Sequence, residues 1–222
     1  DDVTERTRAE QQRVEEVVKQ RDILVREVHH RIKNNLQGVA GLLQHMADSK
    51  PEVAVTLSEI AGQIQAIAQV HGLQIRSTGT LPLLGVAQGI FTTLSGMFGV
   101  EIRFEPPPPE LWRFGLPEGE AVPLALVMNE LGTNAIKHRS SRGDSIMVRV
   151  AARPDGMVFS IENPGRLPAG FDLGRIATSV SGLGLVKSML PRRGAKLTLE
   201  QAGAVVVARL HLSPPAISED GD

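Results

Sequence analysis

The first third of the chain fixes what it can become. Residues 1–76 contain no glycine before Gly38 and no proline other than Pro51, so little interrupts a helix. Apolar residues recur at Val14, Val18, Val25, Val28, Ile32, Val39, Leu42 and Met46, with polar interruptions at Arg21 and Asn35. The steps alternate between three and four or sum to seven, a period of about 3.5 residues that describes a coiled-coil seam. Asp48-Ser49-Lys50-Pro51 breaks the pattern, and a second series runs through Val53, Leu57, Ile60, Ile64, Ile67 and His71. Two amphipathic helices joined by a short turn predict an antiparallel hairpin. One hairpin cannot bury a two-sided seam, so a homodimeric four-helix bundle is expected.

Composition narrows the chemistry. Hydrophobic residues make up 41% of the 222, enough for a core within one or two domains. With 24 basic and 25 acidic residues, no overall positive field draws in a nucleic-acid backbone, and no nucleic-acid partner is expected. Cysteine is absent, which excludes disulfides, thiol nucleophiles and cysteine-based zinc sites. It also fits a reducing compartment, and a cytoplasmic location is expected. No run of 18 apolar residues is present. The chain opens on Asp1-Asp2 without a signal peptide or initiator methionine, suggesting a piece of something longer.

From about residue 80 the texture changes. Ser77-Thr78-Gly79-Thr80 reads as a linker. The pattern then predicts a helix over 88–98, a strand over 100–105, a stiff extended spacer over Pro106–Pro109 and a long helix over 118–138. Strands follow at 146–153 and 157–163 around Pro154-Asp155-Gly156, then a helix over 182–190 and a hairpin of 196–200 with 204–212. The expected fold class is α+β: a helical hairpin followed by an α/β sandwich with a mixed, antiparallel-rich sheet and helices on one face. Residues 213–222 read as a disordered polar tail.

Helical geometry separates two adjacent histidines. His30 is two residues from both Val28 and Ile32, which turns it toward solvent beside Arg26, Lys33, Asn34 and Gln37. His29 flanks the seam. An exposed neutral imidazole is a nucleophile. Asn34, one turn on, can hydrogen-bond the ring and fix which nitrogen is presented, and Arg31 and Lys33 can receive an incoming phosphoryl charge. An ordinary solvated helix face fits the same spacing. On the long helix, Glu130, Asn134 and Lys137 share one face, with His138 beside them. A carboxylate, an amide oxygen and an ammonium there suit a magnesium-phosphate group, though a polar helix face over a sheet also explains them. Two glycine motifs follow, Glu162-Asn163-Pro164-Gly165 after a strand and Gly182-Leu183-Gly184-Leu185 opening a helix, where backbone N–H groups can approach phosphates. His45, His71 and His211 are isolated, so no metal-ligand cluster is expected beyond Asn134. Trp112 reads as local packing, and Lys187, Arg192 and Arg193 as solvated surface.

The string Glu27-Val28-His29-His30-Arg31-Ile32-Lys33-Asn34-Asn35-Leu36-Gln37 resembles the dimerisation and phosphotransfer helix of sensor histidine kinases, in the HWE-related subclass. Asn129-Glu130-Leu131 through Asn134-Ala135 and Lys137-His138 resembles the N box of the ATPase domain shared by histidine kinases, type II topoisomerases and Hsp90-like chaperones. The resemblance implies phosphorylation of His30, with His29 the alternative. It implies magnesium on Asn134, polarisation of the reacting groups by Glu130, and Lys137 and His138 along the phosphates. It also implies a lid at 166–181. Where the family carries an aspartate for the adenine amino group, this chain has Asn163, or Glu162 if the register slips by one; Gly165, Gly182 and Gly184 complete the expected ATP site. The implied activity is ATP-dependent protein-histidine kinase, with ATP and Mg²⁺ as cofactors and a response-regulator receiver domain as partner. The implied organisation is a signalling helix at 1–18, a phosphotransfer domain at 19–79 and a catalytic domain at 80–212. Asp2–Arg6 also resembles the closing strand and exit of a PAS sensor domain, so an upstream sensor is expected; a helix N-cap at Thr4 explains the same residues. A dimeric pseudokinase scaffold is the competing reading, supported by Asn163. A serine kinase of the anti-sigma-factor type is a third, disfavoured because that type lacks the phosphoacceptor hairpin.

Overall fold

The computed structural model describes residues 2–74, 80–180 and 182–219. Helix α1 runs over Asp2–Ser49 and α2 over Ala54–Gln74. At 1.5 Å per residue the 48 residues of α1 reach about 70 Å. Residues 50–53 reverse the chain, with Val53 N–H donating to Lys50 O at 3.2 Å. Asp2–Arg6 are helical rather than the end of a strand, so they extend α1. Residues 77–79 of the expected linker lie outside the described residues.

The hairpin forms as the apolar pattern predicts, but α2 takes the face beside the seam. On α1 it covers Ala40 and Ala47, with His29, Ile32, Leu36 and Leu43 half-buried. Small side chains at 40 and 47 let the helices approach closely, which the larger seam residues do not. Val14, Val18, Val25, Val28, Val39 and Leu42 remain exposed. The second helix is covered on its other side too, burying Ala61, Gly62, Ala66, Ala68 and Val70 between α1 and the domain that follows.

That domain runs β1 (Leu81–Pro82), α3 (Leu83–Phe98), β2 (Ile102–Phe104), β3 (Phe114–Leu116), α4 (Glu118–Lys137), β4 (Ile146–Arg153), β5 (Gly156–Pro164), α5 (Gly182–Met189), β6 (Ala195–Ala202), β7 (Val205–Leu212) and β8 (Ser218–Glu219). The main sheet has the order β2-β4-β5-β7-β6; only β2–β4 is parallel. Strand alternation sorts its two faces. Phe159 and Ile161 of β5 turn inward against Phe91, Leu94, Leu124, Met128 and Val186 of the helices. Ser160 and Glu162 turn outward, where Arg149 bonds Glu162 at 2.6 Å and Glu105 at 2.9 Å. Those hydrogen bonds raise the Arg149 pKa above its ordinary value.

Three departures from expectation concern short elements. Helix α3 begins at Leu83, five residues earlier than expected. The proline spacer is extended only to Pro108; Pro109–Arg113 form a 3₁₀ turn. Residues 213–219 of the expected disordered tail are ordered, and 220–222 lie outside the described residues. Ser213 N–H donates to Gly194 O at 2.7 Å, Ala216 and Ile217 are each 1% exposed, and β8 pairs with β3 (Phe114↔Glu219) in a small β1-β3-β8 sheet. Two apolar residues inside a polar stretch anchor it. Ile217→Ala should therefore destabilise the chain by about 2–4 kcal/mol, read from urea midpoints; a disordered tail predicts no change.

Candidate active site

Helix α4 is buried on nearly every side, including the polar residues Asn129, Glu130 and Thr133, at 2–3% exposure. Buried polar groups need partners; beside a long contact of 3.5 Å from Asn129 Nδ2 to Oε1, those of Glu130 come from two other elements. Gln63 of α2 donates Nε2–H to Oε1 at 3.0 Å, and Gly182 donates its backbone N–H to Oε2 at 2.6 Å. Two turns further, Lys137 forms an ion pair with Glu59 of α2. The structure thus brings Glu130 and Lys137 onto the α2 side of the helix.

The adjoining side of α4 faces a cavity of about 200 Å³ lined by Asn134, His138, Asn163, Arg166, Phe171 and Leu183, among others. This is below the ~300–1,000 Å³ usual for small-molecule sites, so it has room for a base but not a whole nucleotide. Asn134 Nδ2 is buried there without a hydrogen-bond partner, an orphan donor suited to an anionic oxygen. Its Oδ1 is the oxygen available to a hard cation. Among the described residues no three His, Cys, Asp or Glu side chains group as a metal site. A single amide oxygen still fits Mg²⁺, which retains several waters and takes its other ligands from phosphates.

Asn163, only 4% exposed, donates Nδ2–H toward His138 O at 3.3 Å and Pro164 O at 3.2 Å. The two carbonyls fix the amide, leaving Oδ1 as the acceptor end toward the cavity. A carboxylate held in this orientation would face both carbonyls with no proton to give, which accounts physically for an amide here. Glu162 points out of the sheet to Arg149, so it is not brought to the cavity. Gly165 permits close packing, since a Cβ there would lie 2.5 Å from His138 O.

Gly182, at φ +62°, turns the chain into α5; Ser181 lies outside the described residues. Gly184 packs on the segment before α5, where an added Cβ would meet Ala177 O at 2.7 Å. Lys187 fastens the same segment, donating to Gly174 O at 2.7 Å and Ile176 O at 2.9 Å. It is therefore not a free surface lysine. The sequence did not single out Gln63, Glu59, Arg166 or Phe171, because each acts across a long chain separation.

On the hairpin, His30 is exposed and Asn34 Nδ2 lies 3.3 Å from its Nδ1. With the amide nitrogen there, the ring proton rests on Nε2. Turning the amide over presents its oxygen instead, placing the proton on Nδ1 and the lone pair on Nε2. Arg31 is not free, since it donates to Glu27 at 2.7 Å. That hydrogen bond, with the Arg31 charge, holds the Glu27 carboxyl below its ordinary range. Lys33 lies over Gly72 on α2. His29 is half-buried, its Nδ1 3.0 Å from His71 Nδ1 and the rings stacked, so its nitrogen is committed inward.

Comparison with known proteins follows these features. Residues 27–94 match the family HisKA_2, described as histidine kinase. The sensor histidine kinase PdtaS of Mycolicibacterium smegmatis is 29% identical over 182 residues, covering 77% of this chain and 35% of the relative. PdtaS of Mycobacterium tuberculosis is 29% identical over 181 residues, with the same coverage. The chain spans about a third of the length of these relatives. In fold it is similar to the histidine kinase domain of the Erythrobacter litoralis EL346 blue-light activated histidine kinase, with a TM-score of 0.58 and 16% identity over 81% of this chain and 95% of that one. Among the described residues no helix is long and apolar enough to cross a membrane.

Burial, and then the nearby His29, hold the His71 pKa below its ordinary 6.5. The unfolded chain therefore binds more protons as pH falls through 6.5, and stability drops toward the depressed value. His211, also depressed by burial, adds to the same slope. Urea midpoints between about pH 5 and pH 8 should rise with pH, and His71→Gln should flatten the slope; an unchanged slope would contradict this.

Proposed function

We propose that this relative of the sensor histidine kinases is the ATP-dependent catalytic core of such a kinase, phosphorylating itself on His30. The observation that carries the reading is the pairing of an exposed imidazole, with an amide at its Nδ1, and a separate cavity holding the orphaned Asn134 amide. Adenine occupies the cavity, with its amino group donating to Asn163 Oδ1. The phosphates lie across the mouth toward Gly182 and His138. Magnesium, when bound, neutralises phosphate charge, and Asn134 Oδ1 is the residue that would hold it.

The chain's own contribution is positioning. Asn34 Oδ1 accepts a hydrogen bond from Nδ1–H while the Nε2 lone pair attacks the γ-phosphorus in line, and the Nδ1 proton is then released to water. A P–N bond forms, the bond to the ADP oxygen breaks, and Glu130 polarises the reacting groups once its present contacts are released. The phosphoryl group then passes to an aspartate of a response-regulator receiver domain. Residues 1–18 carry the signal from an upstream sensor, 19–79 form the phosphotransfer domain, and 80 onward, including the ordered 213–219, the catalytic domain. The exposed stripe from Val14 to Leu42 is covered by a second copy, completing a four-helix bundle. A cytoplasmic setting fits the lack of cysteine.

One observation favours the scaffold reading: the cavity is small, and both Glu130 and Lys137 are occupied by α2. Incubation with labelled ATP separates the two. Acid-labile, base-stable label that persists in His29→Ala and is lost in His30→Ala supports the kinase; label retained in His30→Ala removes that residue. In a titration, Asn134→Ala should weaken ATP binding about tenfold or more, through loss of a hydrogen bond to a charged group. No binding to the unaltered chain at millimolar ATP favours the scaffold.

A further inference from the structure

Helix α2 grips the catalytic domain through the two α4 residues that phosphate chemistry requires. Gln63 Nε2 donates to Glu130 Oε1 at 3.0 Å and lies 3.4 Å from Val180 O at the end of the lid. Glu59 forms an ion pair with Lys137. The second oxygen of Glu130 accepts the Gly182 N–H at 2.6 Å.

Gly182 opens α5, whose unpaired N–H groups would otherwise meet an anionic ligand. A carboxylate already sits there. Two anions compete for one donor, and Lys137, the nearby cation, is neutralised from α2. The hairpin therefore fills the phosphate end of the site with the chain's own carboxylate, while the base cavity beside Asn163 stays open.

We propose that Gln63 and Glu59 are positioning residues that make α2 docking and phosphate binding mutually exclusive. Gln63 holds Glu130 against Gly182, and Glu59 holds Lys137 away from the phosphates. The inference rests on the kinase reading above. Linkage makes the coupling reciprocal: movement of α2 changes ATP affinity, and ATP loosens the domain from α2. Release is also needed geometrically. Gln63 is eight residues, about 12 Å along the helix, from His71 at the level of the phosphoacceptor.

The test is titration of the full chain with ATP and, separately, with adenosine. Gln63→Ala, Glu59→Gln and the double variant keep good helix formers on α2. The double variant should bind ATP at least about fivefold more tightly than the unaltered chain, with adenosine affinity unchanged because adenosine carries no phosphates. Gln63→Glu, which sets a carboxylate against Glu130, should shift ATP in the same direction. Unchanged or weaker ATP binding in these variants overturns the proposal, as does a parallel shift of ATP and adenosine, which would mark a general packing change. Absence of ATP binding in every protein would defeat the kinase reading and this proposal together; ATP binding without a difference between variants would defeat the proposal alone.

Discussion

A carboxylate taken out of water must be given hydrogen bonds, and Glu130 organises the molecule on that condition. Its helix is the centre of the domain that follows the hairpin, with Leu124, Met128 and Leu131 packed on the sheet. At 3% exposure, Glu130 leaves no route for bulk water to compensate its charge. Apart from the long contact with Asn129, its donors come from α2 of the hairpin and from the start of α5. One side chain thus ties together three parts that the proposed phosphoryl-transfer cycle has to move separately.

The paired histidines show a similar division of labour. Two neighbouring histidines face different surroundings because one residue turns a helix by about 100°. His29 is spent on His71, and His30 is left to solvent with Asn34 at its ring. The side chain that holds the hairpin closed is thereby separate from the one available for chemistry.

What was legible in the sequence follows from how local each signal is. Strand β4 occupies its expected span, and β5, β6 and β7 differ only at their ends, because alternation and the turns at Pro154-Asp155-Gly156 and Gly203 are encoded within a few residues. The two- and three-residue strands β1, β3 and β8 carry no period of their own; they exist because of partners far along the chain, and Ile217 is buried for the same reason. The seam revealed its repeat but not which side α2 would choose, a matter decided by the small residues Ala40 and Ala47. At the site, Asn134, His138, Asn163 and Gly165 gather as their motifs suggested. The partners of Glu130 and Lys137 were not legible, since Gln63 lies 67 residues from Glu130 and the sequence marks it only as one more polar position on α2.

The central claim is that nucleotide phosphates compete with the Glu130 carboxylate, held in place by the hairpin, for one backbone donor. The chain contains no cysteine, so two introduced at exposed Val55 on α2 and Arg192 beyond α5 would take spin labels without interference. Pulsed electron resonance distances between them, with and without a saturating non-hydrolysable ATP analogue, report the competition directly. The account predicts one narrow distance distribution in the free chain and a shifted, broader one once the analogue is bound. A distribution unmoved by bound analogue would contradict it.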